Sequence, residues 1–279
     1  MRVPDQIASS AAFLCVEDEE GVPVFRGTAF YVAVFAEGES QGWGYLVTAR
    51  HNIRAAESYR RLGIRVNLKD GGTRYYKLPA SWMYHDNEGS DAAVLRFPLH
   101  RDVEIYAVPN SAFVTPELLT EWNIGIGDEI ILTGLFRHHT GEMRNAVIVR
   151  SGMIAAMPDE LLQDDRTGFD YPYLVEMRSF GGLSGSPVFV RLDSYRIYGG
   201  PGGQSYYLLG MVRGHWDYEG PLQFPADESG AVNMGIAIVT PIADVLEILY
   251  SDEEVRWRRR QDEEFHAQQE KPPPASDDT

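Results

Sequence analysis

Short apolar runs recur along this chain between clusters of glycine, proline, asparagine and aspartate. Runs of that length, bounded by turn formers, read as β-strands. In the first half they cover residues 9–16, 24–34, 44–48, 63–68, 75–78 and 92–96. In the second half they cover 129–135, 144–155, 173–177, 187–190, 206–212 and 234–239. About six fall on each side of a linker near residues 110–124, with no convincing internal helix, and this predicts two antiparallel barrels. A helix follows. Pro241 stands where helices often begin, and Ile242, Val245, Leu246, Leu249 and Tyr250 recur at helical spacing. Beyond Ser251 the residues are almost all charged, including Arg256, Arg258, Arg259, Arg260, Glu263, Glu264 and Glu270, which predicts a solvated extension of that helix. From Lys271 the run Pro272-Pro273-Pro274 and an acidic end predict a disordered tail.

The chemistry concentrates in Gly181-Gly182-Leu183-Ser184-Gly185-Ser186-Pro187-Val188-Phe189. A serine hydroxyl becomes a good nucleophile when a base takes its proton and backbone N–H groups receive the oxyanion. Gly182 and Gly185 let the backbone turn tightly around Ser184. A base and an acid occur upstream, each beside a strand. Thr48-Ala49-Arg50-His51 ends one apolar run, and Ser90-Asp91-Ala92-Ala93-Val94-Leu95 opens another. Asp86, five residues before Asp91, is the competing carboxylate. The chain order His51, Asp91, Ser184 is the order found in chymotrypsin-type barrels and differs from that of the subtilisin and α/β-hydrolase folds.

On these residues the chain resembles the trypsin/chymotrypsin-like serine peptidases, especially the bacterial branch with HtrA-type and glutamyl-endopeptidase-like members. Gly182-Leu183-Ser184-Gly185-Ser186-Pro187 is similar to that family's G-x-S-G-[GS]-P motif. Weaker echoes are Gly27-Thr28-Ala29-Phe30, Ile126-Gly127-Asp128-Glu129 and Leu209-Gly210-Met211-Val212, so the resemblance spans roughly residues 8 to 250. It implies an all-β chymotrypsin-like fold of two six-stranded barrels. Residues 1–115 would carry His51 and Asp91, residues 116–250 would carry Ser184, and residues 251–279 would form the charged helix and tail. It further implies Ser184 as nucleophile, His51 as general base, Asp91 as the orienting acid, and the N–H groups of Gly182 and Ser184 as the oxyanion hole. In the family register Arg178 and Ser179 stand at the base of the pocket for the residue before the cut. Arg213, Gly214 and His215 line it. Two arginines and a histidine there would favour an acidic side chain. The implied function is a serine endopeptidase acting on proteins or peptides without a cofactor or metal. The alternative is a catalytically silent binding or scaffold module of the same fold.

Two positions depart from the family pattern. Arg50 stands where a small residue is usual, and its charge opposes protonation of His51 unless the side chain points away. Leu183 replaces the aspartate that, in zymogen-activated relatives, pairs with a newly cut N-terminus. The alternatives are then a permanently formed site or one ordered by a protein partner or an oligomer. His138-His139 lacks further ligands at metal spacing. Gly199-Gly200-Pro201-Gly202-Gly203 lacks the following Lys-Ser/Thr of a phosphate loop and reads as a hairpin turn.

Composition narrows the setting. The 279 residues include 44% hydrophobic residues, ample for a folded core. The net charge of −16 argues against binding nucleic acid or an anionic membrane surface. No run of about 18 apolar residues predicts a membrane span. The start of the chain lacks a basic leader with a long apolar segment, and Cys15 is the one cysteine. Both features lead to the expectation of a cytoplasmic protein.

Overall fold

The computed structural model describes residues 2–36, 42–56, 61–98, 100–164, 168–179, 181–198, 204–218 and 232–269. The glycine-rich segment 199–203 and the proline-rich tail from 270 lie outside the described residues.

The first half contains β1 (Ala11–Glu17), β2 (Pro23–Phe35), β3 (Gly42–Ala49), β4 (Leu62–Asn67), β5 (Thr73–Lys77), β6 (Met83–Tyr84), β7 (Ala92–Arg96) and β8 (Val108–Pro109). They form an eight-stranded sheet in the order β5-β4-β1-β2-β3-β7-β6, with β8 parallel to β2. The closed six-stranded first barrel of the expectation is not seen among the described residues: there are two additional short strands, and β5 and β6 do not pair there. Pro79 follows β5 and has no N–H with which to continue a ladder.

The second half contains β9 (Glu129–Leu135), β10 (Val147–Ala156), β11 (Leu162–Asp164), β12 (Gly168–Asp170), β13 (Tyr173–Glu176), β14 (Pro187–Asp193), β15 (Gln204–Tyr218) and β16 (Val232–Pro241). Six of them close into a barrel in the order β10-β13-β16-β15-β14-β9, and β11 pairs with β12 as a separate ribbon. Short helices occur where the sequence pattern suggests none: α1 (Asp5–Ala8) before β1, and α2 (Arg50–Ala56), α3 (Pro116–Glu121) and α4 (Ser194–Tyr198) between strands. They are too short for a 3.6-residue period to show. Thr115 caps α3 by accepting from the Leu118 N–H, inside the region read as a linker.

Side-chain alternation explains why the middle strands of the first sheet are apolar on both faces. Ala29, Tyr31, Leu46, Ala93 and Leu95 point into a core of their own sheet. Their neighbours Phe30, Val32, Tyr45, Val47, Ala92 and Val94 join a second core, shared with Ile130, Leu132, Val188 and Val212 of the barrel. With a period of two residues, a strand buried on both sides reads as a continuous apolar run.

The chain ends in α5 (Ile242–Leu249) and α6 (Asp252–Gln269), separated at Tyr250 and Ser251. Ile242, Val245, Ile248 and Leu249 place α5 in the shared core. The first turns of α6 differ from the expected solvated rod. Glu254 is 1% exposed and accepts from Arg96 Nε at 2.9 Å and from the Tyr45 hydroxyl at 3.2 Å. Arg258 is buried and donates to that hydroxyl at 2.9 Å and to the Leu249 carbonyl at 2.7 Å. Trp257 packs on Trp43 with ring centroids 5.3 Å apart, and Arg96 lies over its ring. Charged residues are read as exposed from composition; here each buried charge has a partner, which is the condition for burying it. No helix among the described residues is long and apolar enough to cross a membrane.

Removing one member of this buried network leaves the others uncompensated. Glu254→Ala should destabilise the protein by about 3–5 kcal/mol. Arg259→Ala, which loses an exposed pair with Glu263, should cost under about 1 kcal/mol. Urea denaturation of both variants provides the comparison.

Candidate active site

His51 stands in the first turn of α2, directly after β3. The first N–H groups of a helix have no acceptor within the helix. Asp91, at the head of β7, supplies two acceptors. Its carbonyl takes the Arg50 N–H, and its Oδ1 takes the His51 N–H at 2.9 Å. The other carboxylate oxygen lies 2.6 Å from His51 Nδ1. One buried aspartate therefore anchors the backbone of the helix and the ring it carries. The Asp91 side chain is 2% exposed and that of His51 is 40% exposed, so the acid is enclosed while the ring edge faces solvent. The structure pairs His51 with Asp91, and Asp86 has no such contact among the described residues.

The Arg50 side chain lies over the Tyr84 ring, with its guanidinium carbon 4.9 Å from the ring centroid. An aromatic face takes up the charge that the sequence places next to His51.

Ser184 lies on the turn between β13 and β14, and the first half of the chain holds that turn. The Thr28 N–H donates to the Ser184 carbonyl at 3.0 Å, and the Thr28 hydroxyl donates to the Gly182 carbonyl at 2.8 Å. The same hydroxyl accepts from the Leu135 N–H at 2.9 Å. Thr48 donates to the Thr28 carbonyl at 2.7 Å. Asn52 donates to the Ser184 carbonyl at 3.0 Å and to the Thr48 hydroxyl at 3.2 Å. Two glycines make this approach sterically allowed. A Cβ on Gly27 would lie 2.6 Å from Asn52 Nδ2, and one on Gly185 would lie 2.1 Å from the Thr28 carbonyl oxygen. Gly182 and Gly185 also have φ of 106° and 84°, a region that side chains disfavour.

With the Gly182 and Ser184 carbonyls occupied, no acceptor among the described residues takes the N–H of either residue. The Ser184 hydroxyl donates to the Arg213 carbonyl at 3.3 Å, and no hydrogen bond joins it to His51. Ser184, Gly182 and His51 nevertheless line one cavity of about 350 Å³. Leu183 is fully buried and belongs to the shared apolar core, so hydrocarbon fills the space beneath the turn.

The residues expected in the specificity pocket differ in exposure. Arg178 is exposed, Ser179 is buried and its carbonyl accepts from Asn233 at 2.7 Å, and His215 is half-buried. Gly214 is buried on β15. Arg213 is 3% exposed, and its guanidinium turns inward to Asp170 at 3.0 Å.

Asp170 belongs to a buried acidic group near Asp91 that no local motif marks. Burial raises the Asp170 pKa, as does the nearby charge of Asp91, while Arg213 and His85 lower it. Asp244, in the first turn of α5, accepts from the Ser90 hydroxyl next to Asp91. Burial and the charges of Asp170 and Glu247 push Asp244 up to about 6, against the opposing pull of Ser90 and His85. Thr28, Thr48, Asn52, Asp170 and Asp244 lie on separate elements, and their contacts have no local sequence pattern. The quoted motifs do contain Thr28 and Thr48.

No protein-family model and no curated protein sequence matches the chain. Among solved structures it matches the crystal structure of Deg5 with a TM-score of 0.51, covering 87% of this chain and 88% of that one at 14% identity. At that identity the likeness establishes the fold, which is trypsin-like.

Two outcomes test the site's architecture. Gly185→Ala combines a positive φ with a close approach to backbone and should cost more than about 3 kcal/mol, read as a lowered urea midpoint. The second concerns Asp244. Between its unfolded value of 3.8 and about 6 the folded chain binds the extra proton. Stability from this group therefore falls as pH rises through that window. Asp244→Asn should flatten the fall by roughly 2–3 kcal/mol in urea melts at pH 4 and pH 7.

Proposed function

We propose that the chain is a serine endopeptidase in which Ser184 is the nucleophile, His51 the general base and Asp91 the orienting acid. The 2.6 Å contact between His51 Nδ1 and Asp91 is the observation that carries this reading. It directs Nε2 outward and supports the imidazolium that forms when His51 takes a proton. In the reaction Ser184 Oγ leaves the Arg213 carbonyl and donates its proton to Nε2. It then attacks the substrate carbonyl carbon. The oxyanion accepts from the N–H groups of Gly182 and Ser184, and losing one such donor typically costs about 3–4 kcal/mol. His51 passes its proton to the leaving amine as the C–N bond breaks. Water, deprotonated by His51, then opens the acyl-enzyme.

A second reading is supported by the resting hydrogen bond of Ser184 to the Arg213 carbonyl. In that reading the chain is a binding or scaffold module of the same fold with its serine held off the histidine.

A fluorophosphonate probe separates the two. For the enzyme, Ser184 labels, and Ser184→Ala and His51→Ala each reduce peptide turnover by a factor on the order of 10⁶. A chain that neither labels nor cleaves at any pH from about 5 to about 9 fits the scaffold instead.

A further inference from the structure

The chain carries a net charge of −16, yet among the described residues the cavity containing Ser184 and His51 is lined by Arg26 and Arg137 and by no aspartate or glutamate. Arg26 is on β2, and Arg137 follows β9. Both side chains are exposed. Arg137 Nη2 donates to the Arg26 carbonyl at 3.2 Å, which keeps the two residues side by side. Arg137 also lies against the turn that carries the nucleophile. A Cβ on Gly181 would be 3.5 Å from its guanidinium carbon, and one on Gly182 would be 3.1 Å from its Cγ. The rest of the wall includes Leu14, Val16, Ala55, Ala56 and Leu62, so apolar side chains share the wall with the two cations.

The position of this cavity assigns it to one side of the scissile bond. It contains His51 and the α2 residues Ala55 and Ala56, and no residue of β15 lines it. The Arg213 carbonyl, on β15, lies on the other flank of Ser184. In the proposed reaction His51 delivers its proton to the departing amine, so the chain beyond the cut leaves along the His51 flank.

We propose that this cavity binds the first residues on the leaving-group side of the cut and selects acidic side chains there. The inference rests on the hydrolase reading and names part of its substrate class. A carboxylate in the cavity can form charge-assisted hydrogen bonds to the guanidinium groups, whereas a lysine or arginine meets two like charges. The negative charge of the whole molecule repels an acidic peptide, but that field is screened beyond about 8 Å at physiological salt. The contact pair acts inside that distance and decides the sign.

The test is a random synthetic peptide library incubated with the full chain, with both ends of each cut read by mass spectrometry. Aspartate and glutamate should be enriched about tenfold over glutamine and lysine at the first or second position after the cut, the effect of one partly screened charge-assisted bond. The double variant Arg26→Gln, Arg137→Gln should lose most of that enrichment, with its melting temperature confirming that it folds. Arg137→Lys should retain it, and Arg137→Glu should move the preference toward lysine and arginine. Cleavage without acidic enrichment overturns the proposal, as does enrichment unchanged in the double variant. The fluorophosphonate probe expels fluoride and places no peptide in this cavity. Labelling of Ser184 with indifferent cleavage therefore overturns the cavity assignment alone. Absence of both labelling and cleavage overturns the hydrolase reading together with it.

Discussion

Thr28 connects the two halves of the molecule through backbone and side chain at once. Its N–H and hydroxyl grip the carbonyls of Ser184 and Gly182, its hydroxyl also receives the Leu135 N–H, and its own carbonyl receives Thr48. Thr28 and Thr48 are fully buried, so an unmade bond in this group would carry the full desolvation cost of a polar atom. Satisfying every member requires the barrel turn to approach at one height and angle. That requirement brings Ser184 into the cavity that holds His51, although the two residues are 133 positions apart in the chain. Asn52, next to His51, bonds the Ser184 carbonyl as well, so the helix carrying the ring and the turn carrying the hydroxyl share one network.

The apolar packing beneath that network has the same two-sided character. Strands β2, β3 and β7 give alternate side chains to their own sheet and to the core shared with the barrel. A one-residue slip in any of them would exchange the two sets. Helix α5 closes the shared core, and the buried Glu254 and Arg258 of α6 tie the C-terminal segment to Tyr45 and Arg96. The end of the chain thus braces β3 and β7, the strands that lead to His51 and away from Asp91.

Around Asp91 lies a concentration of buried charge that stability alone does not favour. Asp91, Asp170 and Asp244 interact across a small buried volume, with Arg213 and His85 opposing them. Burial of a carboxylate favours its neutral form, and nearby carboxylates reinforce that effect. The raised pKa of Asp244 is the consequence. The same packing aims the Arg213 guanidinium inward, while its carbonyl faces the Ser184 hydroxyl. Among the described residues the arginines lining the Ser184 cavity are Arg26 on β2 and Arg137 after β9, from different halves of the chain.

Much of this was legible in the residues. The positions of the long strands follow from apolar runs and turn formers, because a strand's burial is periodic and local. His51, Asp91 and Ser184 stood out because each sits in a short motif with a chain order that only certain folds use. Pairs of residues distant in sequence were not legible: Thr28 with Gly182, Arg213 with Asp170, Arg137 beside Arg26. Nor was the burial of Glu254 and Arg258, since an isolated charged helix has no reason to face a core until Tyr45 and Arg96 are brought to it. Local pattern along the chain accounts for the strands, the order of the three polar residues and the glycines at the serine turn. The folded contacts show which carbonyl the serine hydroxyl rests on, which arginine faces inward and which cations line the cavity. Local pattern records what each segment can bury; partnership across the fold depends on where the other segments come to rest.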